Sequence, residues 1–241
     1  MEPIQFLYII LVGFGAAFVQ RVSGFGLGIF AMMVLQHLMP THTAAAVISC
    51  IFSCYTTTFN AIRYRKNIAY RTALPMLAAA LISIPIAVYF SAKVEKAVFE
   101  MLLGSVLVIL SIYFLFFNKK IKIKPTVPSG IVAGTIGGAL GGLFSTGGPP
   151  AVLYLTSATP DNVTYFATIQ FYFCLTNLYT TVNRAIKGLI TPDLILYGLV
   201  GIVGCIGGDL LGRMIFDRLD AQKLKYVIYI GMIISGILML F

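Results

Sequence analysis

Residues 141–150 read Gly-Gly-Leu-Phe-Ser-Thr-Gly-Gly-Pro-Pro and lie inside a long apolar run. Pro149 and Pro150 have no amide hydrogen, and Pro149 also pushes Gly148 out of the helical region of backbone conformation. The stretch therefore predicts a helix that is broken within an apolar segment. Residues 20–28, Gln-Arg-Val-Ser-Gly-Phe-Gly-Leu-Gly, allow the same kind of break because their glycines tolerate non-helical backbone.

The chain around these two breaks has the composition of a membrane protein. Hydrophobic residues make up 59% of it, charged residues 10%, and the mean hydropathy is +0.94. A soluble domain carries about 25% charged residues. In lipid the backbone must satisfy its own hydrogen bonds, so continuous apolar runs are helices. At roughly 20 residues per span, the sequence predicts an all-α integral membrane protein with about eight transmembrane helices and no soluble domain.

The apolar segments fall into two similar sets. The segments are residues 4–35 (interrupted), 44–62, 74–90, 98–117, 130–155 (interrupted), 163–182, 194–212 and 226–241. A shift of 122 residues places Ser23 on Ser145 and Gly26 on Gly148, and the breaks, loops and basic clusters recur at this offset. The sequence therefore predicts an internal repeat within one membrane domain.

The two repeats are expected at residues 1–124 and 125–241, with four segments each and the first segment of each broken. If each broken segment crosses the membrane once, the two copies are parallel. If a broken segment contains a re-entrant turn that adds a crossing, the copies are inverted. The sequence leaves both arrangements open.

The net charge of +9 comes from 17 Lys and Arg against 8 Asp and Glu. Most basic residues fall in short loops, which is typical of membrane topology and of contact with anionic lipid headgroups rather than of nucleic-acid binding. The richer set comprises the loops after the second, fourth and sixth segments: Arg63, Arg65, Lys66, Arg71, Lys119, Lys120, Lys122, Lys124, Arg184 and Lys187. The poorer set comprises the loop at Lys93 and Lys96 and the loop from Arg213 to Lys225. We therefore expect a bacterial or archaeal cell membrane protein with the richer set and both termini in the cytoplasm.

Paired breaks at corresponding positions of two halves predict the binding site of a secondary transporter, because irregular backbone at membrane depth is tolerated where it lines a cavity. The half-helix after each break offers free N–H groups and a positive dipole end, which favours an anion. The alternative is that the glycines serve close helix packing and the prolines only kink a span. The candidate substrate-binding residues at the breaks are Ser23, Gly24, Phe25, Gly26, Ser145, Thr146, Gly147 and Gly148.

Four further polar residues in apolar segments are candidates for function. Arg21 is a candidate counter-charge for the substrate, or it extends from the break to an interface. Gln170 and Asn177 share a helix face and suit either an oxyanion or hydrogen bonds between helices. Asp209 is the candidate for proton coupling, although its spacing to Arg213 also suits a structural ion pair on one helix. The coupling ion, proton or sodium, remains open.

The breaks, the glycine-rich segments before them and the repeat resemble the sulfite exporter TauE/SafE family of membrane proteins. Residues 145–152, Ser-Thr-Gly-Gly-Pro-Pro-Ala-Val, look like the second glycine-rich motif of that family. Residues 23–28 look like a divergent first motif, with Phe25 and Leu27 where glycine is common. The resemblance covers nearly the whole chain. It implies transport of sulfite, sulfonates or other small sulfur-containing or organic anions.

A secondary transporter working by alternating access at the two breaks is therefore the expected function. An anion channel is an alternative, because broken helices also line pores. An intramembrane enzyme is less favoured, because Ser145 has no histidine in an apolar run to activate it. We expect no cofactor and no metal site, and the sequence leaves the oligomeric state open.

Overall fold

The computed structural model describes residues 3–116, 124–215 and 221–240, which form ten α-helices and one 3-10 turn. The helices are α1 (Pro3–Ser23), α2 (Leu27–Leu38), α3 (His42–Arg63), α4 (Tyr70–Ser91), α5 (Lys96–Phe116), α6 (Val127–Phe144), α7 (Gly148–Ala158), α8 (Asn162–Ile186), α9 (Pro192–Ile215) and α10 (Ala221–Leu240). The 3-10 turn spans Arg65–Asn67. The described ranges contain no strand, in agreement with the predicted all-α class.

Both predicted breaks are present. The first break, residues 24–26, separates α1 from α2, and the second break, residues 145–147, separates α6 from α7. Pro149 and Pro150 lie in the first turn of α7. An amide hydrogen has no intrahelical partner in that turn, so prolines start the helix without loss of a hydrogen bond.

Each interrupted segment reverses direction at its break. Phe30 of α2 lies against Gly15 of α1, and Tyr154 of α7 lies against Gly130 of α6. The short helix thus returns along the helix before it, and α1–α2 and α6–α7 are helical hairpins. Neither segment is a single kinked crossing.

Among the described residues, six helices are long and apolar enough to cross a bilayer: α1, α3, α4, α5, α6 and α9. Large apolar side chains such as Ile82, Ile109 and Met214 point outward on these helices, as expected for surfaces that contact lipid. α8 and α10 occupy the remaining two predicted segments as helices but are not among the six. The count of eight spans and the repeat stay predictions.

The helices pack in pairs with defined directions. Cys50 near the start of α3 contacts Asn177 in α8, and Thr58 further along α3 contacts Cys174, so α3 and α8 are antiparallel. Gly104 of α5 lies against Gly236 of α10, while Phe114 stacks on Tyr229 with 5.1 Å between ring centroids. Since the later residue of α5 meets the earlier residue of α10, this pair is antiparallel too.

Two other pairs are parallel and are packed through glycine. Gly201 and Gly208 of α9 lie against Gly13 and Phe14 of α1. In the same way Gly134 of α6 lies against Met76 of α4, and Gly142 against Ala87. A side chain at Gly208 or Gly134 would collide with backbone atoms of the partner helix, so these helices approach as closely as their backbones allow.

The structure changes the expected grouping of the basic loops. The Lys187 ammonium lies 5.3 Å from the centroid of the Tyr89 ring, and Lys93 contacts the same ring at 4.3 Å. Arg213 lies 5.0 Å from the centroid of the Phe59 ring, near the end of α3. Lys187 therefore shares an end with Lys93, and Arg213 shares the opposite end with the loop at 63–71. The predicted grouping of these two residues is wrong because each hairpin reverses direction. Lys119, Lys120 and Lys122 lie outside the described residues.

Candidate functional site

The first break is shaped by glycine and by hydrogen bonds from neighbouring polar groups. Gly24 and Gly26 have φ angles of 81° and 99°, in the left-handed region that disfavours other residues. The Ser23 hydroxyl donates to the Val19 carbonyl over 2.7 Å, which closes the last turn of α1. Gln170 of α8 donates to the Gly24 carbonyl over 3.0 Å. The irregular backbone is thus satisfied by the protein itself.

The second break begins with a serine in an unusual conformation. Ser145 has a φ of 58°, and it is the one non-glycine residue with a positive φ in the described ranges. Its hydroxyl donates to the Ala46 carbonyl over 3.1 Å. This bond ties the end of α6 to the first turns of α3 and fixes the orientation of the second break.

The two breaks meet in the interior of the protein. A Cβ built on Gly28, in the first turn of α2, would overlap the carbonyl oxygen of Ser145. Gly148, at the start of α7, faces the Phe25 ring of the first break in van der Waals contact. The two breaks, far apart in sequence, therefore lie side by side in the fold.

A cavity of about 40 Å³ lies between the breaks, and we call it the central cavity. At ~10–15 Å³ for a single water, it has room for a small anion. Glycines, hydroxyl groups, two amides and three apolar side chains line it: Gly26, Gly28, Gly137, Gly138, Gly141, Gly147, Gly148, Ser53, Thr57, Ser145, Thr146, Tyr172, Thr176, Thr180, Gln20, Asn177, Ile29, Ile84 and Phe173. None of these lining residues is acidic.

Two hydroxyl groups in the lining have no hydrogen-bond partner within the described part of the chain. They are Oγ1 of Thr146, which is 2% exposed, and the phenolic oxygen of Tyr172, which is 1% exposed. A buried hydroxyl without a partner costs free energy, of the order of 1–3 kcal/mol. A ligand that reached either hydroxyl and accepted a hydrogen bond from it would remove this cost.

The breaks differ in the backbone donors that they offer. Leu27, Gly28 and Ile29 form the first turn of α2, where amide groups have no intrahelical acceptor, and no side chain caps this end. In α7, Pro149 and Pro150 remove two of the corresponding amides. The expected free N–H groups are therefore those of the first turn of α2, whereas the prolines leave fewer of them in α7.

Arg184 is the residue that sequence reasoning missed at this site. The sequence assigned it to a loop, but it lies in α8 and is 2% exposed. Nη1 donates to the Ala46 carbonyl over 2.6 Å and to Ser145 Oγ over 3.1 Å, and Nη2 donates to the Gly142 carbonyl over 3.1 Å. The guanidinium thus joins α3, α6 and the second break directly behind a residue that lines the central cavity.

A signal for Arg184 exists in the sequence. Gln170 and Asn177 share a face of α8, and the next position at the same spacing of seven is Arg184. The polar face continues through the position that looks like the end of an apolar segment. Extending the helix by one turn beyond Val182 would have placed Arg184 beside the other two.

The structure brings some predicted site residues to the central cavity and leaves others outside it. Gly26, Ser145, Thr146, Gly147, Gly148 and Asn177 line the cavity, and Ser23, Gly24, Phe25, Arg21 and Gln170 do not. Gln170 supports the first break, and Gln20 donates to its side chain over 3.1 Å. Arg21 donates to the Tyr64 hydroxyl over 3.2 Å and lies 5.4 Å from the centroid of the Phe166 ring.

Phe25 separates the central cavity from a second, larger cavity. This side cavity has a volume of about 280 Å³ and is lined by Ser23, Phe25, Phe114, Val152, Thr156, Thr159, Pro160, Asp161, Asn162, Tyr165 and Tyr229. The Phe25 ring packs 5.4 Å from Phe114 on one side and contacts Gly148 of the central cavity on the other. One aromatic side chain, flanked by two glycines with positive φ, thus stands between the two cavities.

Asp209, the predicted candidate for proton coupling, does not line the central cavity. Its carboxylate pairs with Arg213 on the same helix, one turn further along. Both side chains are largely buried, and Arg213 also packs on the Phe59 ring. The structural ion pair that the spacing allowed is present, and the coupling role stays a prediction.

Comparison with known proteins assigns the chain to a family. A family model described as Sulfite exporter TauE/SafE matches residues 9–239. A protein of Cupriavidus necator named "Probable sulfite/organosulfonate exporter TauE" is 25% identical over 238 residues, covering 92% of this chain and 89% of that protein. No solved structure matches the chain.

Proposed function

The chain belongs to the sulfite exporter TauE/SafE family of membrane transporters, and we propose that it carries a small sulfur oxyanion through the central cavity by alternating access. The observation that carries this proposal is the meeting of both broken helices at one cavity. That cavity contains unpartnered hydroxyl donors and has no acidic residue in its lining. Paired broken helices at one site are typical of secondary transporters.

The donors match the chemistry of sulfite. A sulfite oxygen accepts hydrogen bonds, and charge-assisted bonds of this kind are stronger than neutral ones. Thr146 and Tyr172 each offer a hydroxyl, Asn177 offers an amide, and the first turn of α2 offers backbone N–H groups with a favourable helix dipole. An anion bound there would accept hydrogen bonds from the buried hydroxyls of Thr146 and Tyr172.

The size of the central cavity favours a compact substrate. About 40 Å³ accommodates an inorganic oxyanion, whereas the tail of an organosulfonate would need additional room. The named relative from Cupriavidus necator is associated with both classes. Among these, we place sulfite first for this chain and expect organosulfonates to bind more weakly in this conformation.

The helix directions support an inverted repeat. An axis in the membrane plane would relate α3 to α8 and α5 to α10, and both pairs are antiparallel. The same axis would relate the α1–α9 pair to the α6–α4 pair, and both are parallel and glycine-packed. Five helices in each half, an odd number, produce the required inversion. Transporters of this architecture alternate access by moving one repeat against the other.

Phe25 closes one route in this conformation. Its ring lines the side cavity and lies against Gly148 of the central cavity, so we assign exchange with that side to a movement of this ring. Gly24 and Gly26 flank it and allow the backbone to rotate. We therefore expect a change of backbone conformation at the first break to move the Phe25 ring and open this route.

Charge and helix direction together support an orientation. The end of the molecule with Arg63, Arg65, Lys66 and Arg71 belongs in the cytoplasm by the positive-inside rule. Gln5 in the first turn of α1 accepts a hydrogen bond from Tyr197, which lies near the start of α9. This end of the molecule also contains Lys187 and is opposite to the loop at 63–71. The N-terminus then lies outside, whereas the sequence alone placed it inside. A cysteine at exposed Lys66 should resist an impermeant reagent on intact cells, and its labelling would reverse the assignment.

The proposal is tested with two nearly isosteric variants, Thr146→Val and Tyr172→Phe. Removing an unpartnered buried hydroxyl should raise the melting temperature of the empty protein. The same change should weaken sulfite binding about tenfold or more, because a hydrogen bond to a charged group contributes ~1.5 kcal/mol or more. These opposite signs distinguish a ligand group from a structural group.

The matched control is Thr56→Val. Thr56 is buried but lies outside the cavity lining, and its hydroxyl donates to the Phe52 carbonyl over 3.0 Å. This variant should lose stability and keep sulfite affinity. Binding is read from the ligand-induced shift in melting temperature and transport from sulfite flux in proteoliposomes. Unchanged sulfite affinity in both test variants, or a preference for a cation, would contradict the proposal.

A further inference from the structure

We infer that Arg184 is the specificity-determining residue that makes the central cavity select by charge. The inference rests on the proposed function, because it concerns the same cavity and the same class of ligand. Arg184 does not line the cavity itself. Its guanidinium donates to Ser145 Oγ, and Ser145 does line the cavity, so the charge lies one side chain behind the cavity wall.

Three hydrogen bonds from Arg184 go to neutral acceptors, and the Cys50 thiol is a further neighbour of the guanidinium. Two backbone carbonyls, of Ala46 and Gly142, and one hydroxyl, of Ser145, accept its hydrogen bonds. Neutral dipoles solvate a cation but leave its net charge in place. An arginine also keeps its proton in proteins, unlike a buried lysine. The full positive charge therefore remains in the interior.

Within the described residues, no carboxylate pairs with this charge, and the Cys50 thiol is the acidic group that interacts with it. Within residues 3–116, 124–215 and 221–240, the ion pairs are Lys96–Glu100 and Asp209–Arg213, and neither involves Arg184. A buried charge without a counter-ion is costly and is rare in apolar segments unless it has a functional role. An anion in the central cavity would supply the missing counter-charge.

The second break also needs another source of positive potential. Pro149 and Pro150 remove two amides from the first turn of α7, so the dipole end of this half-helix offers few N–H groups to an anion. Arg184 lies behind this same break. The two breaks therefore contribute differently. At the first break, the positive potential comes from backbone amides of α2. At the second break, it comes from the charge of Arg184, which is hydrogen-bonded to Ser145.

A capping role alone would account for one of these contacts. A cation near the last carbonyls of α6 stabilises that helix end, and the bond to Gly142 is of this kind. Such a role predicts a loss of stability on replacement, with equal effects on all ligands. Charge selection predicts an effect that grows with the charge of the ligand. This difference is the basis of the test.

The experiment measures the affinities of three small sulfur compounds in detergent solution, and the comparison between the first two, which have the same number of heavy atoms, is free of a size effect. Dimethyl sulfone is neutral, methanesulfonate is a monoanion, and sulfite at alkaline pH is a dianion. For the wild-type protein we expect affinity to rise with charge along this series. For Arg184→Gln we expect roughly a tenfold loss for the monoanion, about the square of that factor for the dianion, and little change for dimethyl sulfone.

Two further variants complete the design. Arg184→Lys loses the planar fork, and because a buried lysine gives up its proton more readily than arginine, it should retain only part of the rise in affinity with ligand charge. Arg184→Met serves if the glutamine variant does not fold, because replacing a buried charged residue by a hydrophobic one of similar length is often tolerated. Arg21→Gln is the comparison, since Arg21 is a second arginine in an apolar segment but contacts Tyr64 and Phe166.

The outcomes separate the two proposals. If the wild-type protein binds none of the three ligands, the proposed function fails. If the wild-type protein prefers anions and Arg184→Gln or Arg184→Met keeps the same dependence on ligand charge, Arg184 is structural and the inference is overturned. Loss of that dependence in Arg21→Gln alone would assign the role to Arg21. An equal affinity of the wild-type protein for dimethyl sulfone and methanesulfonate would also overturn the inference, without any variant.

Discussion

Arg184 donates a hydrogen bond over 3.1 Å to the hydroxyl of Ser145, a residue whose backbone is in the left-handed conformation with a φ of 58°. That conformation costs a non-glycine residue about 1 kcal/mol or more. The bonds from Arg184 and to the Ala46 carbonyl offset this cost and select one orientation for the second break. The geometry of the break is thus set by residues of α3 and α8 as well as by its own glycines and prolines.

Gly28→Ala should destabilise the protein, because the added methyl group would overlap the Ser145 carbonyl oxygen, a backbone atom that has little room to move. Overpacking of this kind costs about 1–3 kcal/mol. Gly141→Ala is the matched control: it adds the same group in the same cavity, but its nearest neighbour is Gly147 Cα at 3.7 Å. Melting temperatures in detergent should fall for the first variant and change little for the second. Equal melting temperatures would show that the two breaks can separate without cost.

Phe25→Ala should connect the two cavities. A cysteine at Thr146, with the four native cysteines replaced by serine, reports access to the central cavity through its labelling rate. Labelling from the side-cavity end should become faster in the Phe25→Ala background, since the ring no longer fills the route. Phe171→Ala is the control, because Phe171 packs on Tyr70 away from both cavities. An unchanged labelling rate in vesicles of both orientations would remove Phe25 from the access route.

Asp161→Asn should reduce stability at neutral pH and have less effect in acid. Hydrogen bonds from the Thr164 amide and hydroxyl, together with one from the Val163 amide, lower the pKa of the Asp161 carboxyl. A lowered folded-state pKa stabilises the protein above the unfolded value of about 3.9, and this contribution is lost as the pH falls through the folded-state pKa. Melting temperatures of both proteins across this range provide the measurement. A gap that stays constant down to low pH would assign the effect to shape rather than to charge.

Asp209→Asn tests the predicted coupling role. If Asp209 carries the coupled proton, the variant should still exchange sulfite across proteoliposome membranes but should no longer accumulate it in response to a pH gradient. The carboxylate is paired with Arg213 in this conformation, so a coupling role would require that pair to rearrange. Glu100→Gln, which removes the acid of the surface pair with Lys96, is the control. Proton-driven accumulation that persists in Asp209→Asn would leave the pair with a structural role only.

The breaks themselves could be predicted from sequence because their causes are local. The two consecutive prolines Pro149 and Pro150 favour the start of a new helix over the continuation of α6, and the glycines at 24 and 26 permit φ angles that other residues avoid. The all-α class could also be predicted, because the hydropathy of each segment is a local property of its sequence. Local chemistry does not determine direction, however. Residues 145–150 do not predict that α7 packs back along α6, because that arrangement depends on contacts such as the one between Tyr154 and Gly130.

The missed residues have a common cause. Lys187 and Arg213 were assigned to the wrong ends because each interrupted segment was counted as a single crossing. Arg184 was assigned to a loop because a charged residue after Thr180 and Asn183 resembles a helix end. Its partners, Ala46, Gly142 and Ser145, are distant in sequence and use a backbone carbonyl or a hydroxyl. A carbonyl acceptor has no signature in the identity of its residue, so only the fold could reveal this contact.

The glycine-packed pair α1–α9 has a consequence for biosynthesis. α1 is made first, but the glycines of α9 that receive Ile10 and Phe14 are at positions 204 and 208, near the end of the chain. During translation the face of α1 that packs on α9 therefore has no protein partner until most of the chain has been synthesised. Until then, lipid or an insertion factor would cover this face. A truncated product that ends before α9 would leave that face without its partner, and the membrane quality-control machinery would encounter an unfinished helix rather than a folded half.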